Sequence, residues 1–89
     1  MSILTLEDLS TPALGALDRA RTDVILGTSP LEAHGPHLPV GVDVFGARHL
    51  ARALAERLVA ARPGWRVVLG PVLPVGSFAF DAVGTVAVR

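Results

Sequence analysis

VFGARHLARALAERLVAARPGWRVVL, residues 44–69, decides the fold of this chain. Ala47, Leu50, Ala51, Leu54 and Leu58 recur there at steps of three and four, while Arg48, Arg52, Glu56 and Arg57 fall mainly elsewhere, which predicts an amphipathic helix from Val44 to Ala61. Arg62-Pro63-Gly64 ends it, because proline cannot continue the hydrogen-bond ladder and glycine accepts a tight turn. Trp65 to Leu69 then reads as a buried strand. Upstream, Asp23-Val-Ile-Leu26 is a short apolar run of the kind that forms a strand covered on both faces, and it is taken as the first strand. Strand, helix, strand implies a parallel crossover, so the fold class is α/β, a mostly parallel sheet with a βαβ unit.

Working outward, Thr5 followed by Asp8, and Thr11 before Pro12, are two capping signals that open a short helical region reaching about Ala20, with Leu14 and Leu17 one turn apart. Downstream, Gly70-Pro-Val-Leu-Pro-Val-Gly76 reads as a loop leading through Ser77 to Ala82, and Gly84-Thr-Val-Ala-Val88 as a third strand-like run. A parallel sheet wants helices on both faces and more than three strands, so the expectation is that residues 1–89 form a single but incomplete domain, truncated after its third strand. No repeat, low-complexity tract or linker divides it.

Composition narrows the function. Eight basic and eight acidic residues balance, and no basic cluster is available to follow a phosphate backbone, so nucleic acid is excluded as a partner. Without cysteine there is no disulfide, thiolate metal site or cysteine nucleophile, and any metal must be held by His and carboxylate. The first residues lack a signal-peptide pattern and no apolar run approaches the roughly 20 residues of a membrane span, so a cytoplasmic protein without membrane contact is expected. Neither a phosphate-binding loop nor a dinucleotide fingerprint is present.

From Gly27 to Gly41 the chain is dense in Gly, Pro, Ser and His without apolar period, a structured loop at the carboxyl end of a strand, where ligands of α/β sheets bind. Glu32, His34, His37 and Asp43 fall within twelve positions of a chain that has three His in all. Glu32 and His34 are two apart, so both leave an extended backbone on one side, and Asp43 is placed to fold back across the loop. Gly35, Pro36, Pro39 and Gly41 suit that fold-back. Imidazole with carboxylate and no thiolate suits Zn²⁺ or Mn²⁺. His37 is assigned a supporting role, orienting the ligands by hydrogen bonding. His49 lies among helix residues and is read as a surface or packing side chain; Asp81 is a turn former and a secondary pocket candidate; Ser77 lacks a nucleophile elbow.

Glu32-Ala-His-Gly-Pro-His-Leu-Pro39 followed by Asp43 resembles the Glu-x-His-Gly-x-His-Leu-Pro…Asp signature of the creatininase family, and the likeness continues in order to the Gly84-Thr85 step. The resemblance implies that Glu32, His34 and Asp43 bind a pair of divalent metals, with Asp43 bridging, and that His37 occupies a motif position without being a ligand. It implies C–N hydrolysis by a metal-bridged hydroxide attacking an amide carbonyl of a small cyclic amide, a formamide or a peptide, in a homo-oligomer. It also places the remaining ligands and the catalytic His in segments beyond Arg89, so no catalytic residue is assigned here; an inactive remnant keeping a partial metal loop is the alternative. The chain departs from the family pattern at Val42, where Thr is usual, at Ala33, where Gln or Glu is frequent, and at Phe78-Ala79, where many relatives carry Glu-His, which leaves the substrate open.

Overall fold

A computed structural model describes residues 2–77 and 82–88. Strand β1 (Ile3–Thr5) is followed by helix α1 (Thr11–Gly15), strand β2 (Thr22–Thr28), helix α2 (Val42–Ala61), strand β3 (Arg66–Leu73) and two short strands, β4 (Gly76–Ser77) and β5 (Ala87–Val88). The first three strands form one sheet in the order β1-β3-β2, all parallel, and β4 pairs with β5 in a second parallel pair. The α/β class with its crossover through α2 is as the periodicity implies. By contact the chain divides into two compact units, Met1–Leu26 with Ala51–Pro71 and Gly27–Leu50 with Val72–Arg89.

In the first unit β3 is the central strand, and Ile3, Leu4 and Thr5 pair with Val67, Val68 and Leu69. Adjacent strand residues point to opposite faces. Val67 and Val68 are both fully buried, so β3 is covered on both sides, as an interior parallel strand should be. Strand β2 departs from expectation. It is second in chain order rather than first, and it is not buried on both faces, since Val24 is 58% and Leu26 65% exposed. A four-residue apolar run is the same whether one or two faces are covered, and β2 sits at the sheet edge, where alternation returns.

The amino-terminal region is likewise not one helical stretch. Residues 3–5 are a strand whose partner lies more than sixty positions away, a pairing no local pattern reveals. Thr5 makes no side-chain cap bond; the cap of α1 is Ser10, whose hydroxyl accepts from the amide of Ala13, while Thr11 and Pro12 form the first turn. Ser10 and Thr11 are both competent caps, and the serine takes the role. The helix ends at Gly15, and Asp18 then caps a separate 3-10 turn, Arg19–Arg21, by accepting from the amide of Ala20.

Helix α2 begins two residues earlier than its apolar period suggests. Its buried line is Val44 and Ala55, with Ala47, Ala51 and Leu58 partly covered. Leu50 and Leu54 do not belong to it: Leu50 is 69% exposed, because at 3.6 residues per turn it is rotated about 120° from Val44. Beyond the helix, the amide of Trp65 donates to the carbonyl of Arg62 across a turn with Pro63 second and Gly64 third, and Gly64 has φ +88°, the left-handed conformation that a type II turn requires at that position. Arg62 closes the corner: its guanidinium donates to the carboxylate of Asp23 and lies 4.2 Å over the Trp65 ring.

Strand β3 runs on through Gly70-Pro-Val-Leu73, residues expected as loop. Pairing with β1 stops at Leu69, so the missing N–H of Pro71 interrupts no ladder on that side. A side chain at Gly70 would be driven into Leu26 and the Ile25 carbonyl, so this glycine marks a close approach of strands rather than a break.

Burying a valine side chain contributes about 2 kcal/mol, so Val68→Ala should lower the unfolding free energy by about that amount and the midpoint by several degrees. Leu50→Ala removes a larger but exposed side chain and should change stability by less than about 0.5 kcal/mol. Denaturant titration of both variants checks the contrast.

Candidate metal centre

Strand β2 delivers the chain into the loop as a continuation of the sheet. The amide of Ser29, a buried residue, donates to the carbonyl of Leu73 at 2.9 Å, prolonging the β2–β3 ladder by one step. Leu31 then pairs antiparallel with Val86, whose amide donates to its carbonyl at 2.7 Å. The amide of Glu32 donates to the carbonyl of Val40 at 3.0 Å, which closes residues 32–40 into a loop on its own base. Gly35 supplies the left-handed turn inside that loop, at φ +81°.

Closing the loop at Val40 leaves only Gly41 before α2, and Asp43 lies in the first turn of that helix. The aspartate therefore does not fold back as a loop residue; the helix start presents it, where the amino-terminal dipole also favours a carboxylate. The amide of Phe45 donates to the carbonyl of Gly41 at 2.9 Å, and the ring of Phe45 packs on Gly41, fixing the entry to the helix.

Glu32, His34 and Asp43 come together. One donor atom from each lies within 4.8 Å of both others. His34 Nε2 is 3.3 Å from Asp43 Oδ2 and 4.0 Å from Glu32 Oε1. Its other nitrogen, Nδ1, is 2.8 Å from the backbone carbonyl of Glu32, and a carbonyl can only accept, so Nδ1 carries hydrogen. In the neutral ring Nε2 then presents its lone pair to the two carboxylates. That arrangement can accommodate a cation between them. An ion bonded to N and O donors at roughly 2.0–2.2 Å places neighbouring donors about 3–4 Å apart, and the observed separations fall close to that range. Glu32 and His34 are partly buried and Asp43 is more open, so the group is reachable from solvent.

His37 is exposed; its ring stands beside Gly35, and among the described residues it makes no hydrogen bond to the three donors. His49 is exposed on α2, and Ser77 lies in β4. Asp81, with Phe78 and Ala79, lies outside the described residues. Thr85, which the sequence marks only as part of the Gly84-Thr85 step, has a hydroxyl oxygen that accepts from the amide of Ala33 at 3.2 Å. The two are 52 positions apart, so no local signal pairs them. A cavity of about 460 Å³ lined by Leu6, Leu14, Leu17 and Val24 has no His or carboxylate in its wall, so size does not mark the chemistry.

A family model described as creatinine amidohydrolase matches residues 7–89. The chain belongs to the creatininase family. Creatininase membership points to a hydrolase of the amidohydrolase kind, in a family that is generally metal-dependent, and the clustered donors form a group that could hold a metal ion. No curated protein and no solved structure gives a significant match. Among the described residues no helix is long and apolar enough to cross a membrane.

Metal that binds the native chain raises its stability by RT ln(1 + [L]/Kd), about 2.7 kcal/mol at a hundredfold excess over Kd. Zn²⁺ or Mn²⁺ should therefore raise the thermal unfolding midpoint by several degrees, and His34→Ala should abolish the rise. Differential scanning calorimetry of both proteins is the check.

Proposed function

We propose that this protein is a metal-dependent amidohydrolase that cleaves the C–N bond of a small cyclic amide, a formamide or a peptide, using Zn²⁺ or Mn²⁺ held by Glu32, His34 and Asp43. The reaction adds water across an amide, giving a carboxylic acid and an amine. The observation that carries the reading is the convergence of one imidazole nitrogen and two carboxylates, with 3.3 Å between His34 and Asp43, in a chain that belongs to an amidohydrolase family. A divalent ion bound there supplies Lewis acidity toward the amide carbonyl and lowers the pKa of a water molecule.

The chain's own residues supply the rest. Glu32 and Asp43 provide two negative charges that offset those of a divalent ion. His34 is kept in its Nδ1–H form by the Glu32 carbonyl, which leaves Nε2 as the donor. Three protein donors leave part of an ion's coordination sphere for water or substrate, the pattern of a catalytic rather than a structural site. His37, exposed near the turn of the loop, is proposed to support the site from outside the ligand set.

Hydrolysis should be assayed as amine release from a panel of cyclic amides, formamides and short peptides. Activity should disappear on chelation, return with Zn²⁺ or Mn²⁺, and fall by more than about 100-fold in Asp43→Ala, since even residues behind the ligands typically cost 10–100-fold. Activity that survives chelation would contradict the assignment.

A further inference from the structure

Residues 84–86 meet the loop at three points. Val86 donates its amide to the carbonyl of Leu31, the Thr85 hydroxyl oxygen accepts from the amide of Ala33, and Gly84 lies so close to Val40 that an added Cβ would stand 2.8 Å from its Cγ1. Leu31 and Ala33 flank Glu32, Ala33 separates Glu32 from His34, and Val40 carries the carbonyl that closes the loop. The same short segment therefore touches the ligand-bearing arm on both sides of Glu32 and the base of the loop.

Gly84 permits this approach. It is the third residue of a turn closed by the amide of Thr85 on the carbonyl of Ala82, and its φ of +93° is one that side chains rarely adopt. The turn sets Thr85, whose β-branched side chain has few rotamers, so that its oxygen is held rather than sampled. The contacts of Val86 and Gly84 are made by backbone. Only the contact of Thr85 depends on a side-chain group that a substitution can remove.

We propose that Thr85 is a positioning residue of the metal centre: its hydroxyl oxygen, by accepting the Ala33 N–H, fixes the peptide between Glu32 and His34 and so the directions in which both ligands leave the backbone. This inference rests on the reading of Glu32, His34 and Asp43 as metal ligands. The role proposed for Thr85 acts through the backbone of Ala33.

The test is isothermal titration of Mn²⁺ into the metal-free protein, its Thr85→Val variant and its Thr85→Ser variant. Valine keeps the shape and removes the acceptor; serine keeps the acceptor. Thr85→Val should bind Mn²⁺ about 10–100-fold more weakly, as typical for groups that orient metal ligands, and Thr85→Ser should stay within about threefold of the parent. Equal affinity in Thr85→Val, or an equal loss in Thr85→Ser, overturns the role of the hydroxyl while leaving the metal centre standing. Absence of binding by the parent protein overturns both. Should Thr85→Val not fold, amide hydrogen exchange of Ala33 in the parent decides: slowed exchange supports the bond, and exchange at the rate of an open amide overturns it.

Discussion

The amide of Glu32 donates to the carbonyl of Val40 across 3.0 Å, and this bond turns nine residues into a closed loop. Its consequences reach in both directions along the chain. On one side it holds Glu32, and with it His34, whose Nδ1 returns to the Glu32 carbonyl. On the other it leaves room for only a short passage into α2, so Asp43 emerges in the first turn of a helix whose own hydrogen bonds then fix it. A carboxylate from the helix start and an imidazole from the loop meet at 3.3 Å because one backbone bond sets the distance between their supports. Holding three donors together costs conformational entropy, which Pro36 and Pro39 reduce by restricting the unfolded chain, while Gly35 permits the left-handed turn.

The parallel sheet places this loop. In α/β folds the crevice beyond the carboxyl ends of the strands is where ligands bind. Strand β2 runs into the loop through the Ser29–Leu73 bond, so the metal residues begin where the ladder ends. A site built at the end of a paired strand and the start of a long helix inherits the order of both.

Sequence periodicity carried the larger elements and failed at short or shared ones. Helix α2 was readable because twenty residues repeat one pattern, and only its first turn, which includes Asp43, fell outside the apolar period. Leu50 and Leu54 were misassigned to its buried face because leucine signals apolarity without stating which side of a helix is covered. Strand β1 was missed since three residues show no period and its pairing is distant. The Gly70-Pro71 pair reads as a break in isolation, yet it lies within β3, where β2 comes too close for a side chain and β1 has already ended. At the metal loop the identities of Glu32, His34 and Asp43 were legible from residue chemistry and spacing. The brace by residues 84–86 was not, because nothing near residue 33 points to a partner 52 positions later.

The match over residues 7–89 shows the creatininase family, and the loop brings one donor atom each of Glu32, His34 and Asp43 within 4.8 Å of one another. The proposed function puts a metal ion between the imidazole and the two carboxylates. X-ray absorption spectroscopy of the Zn²⁺-loaded protein tests that claim most directly. The account predicts a shell of nitrogen and oxygen at roughly 2.0–2.1 Å with the outer scattering of one imidazole, lost in His34→Ala. A shell without imidazole, or one unchanged in that variant, would contradict it.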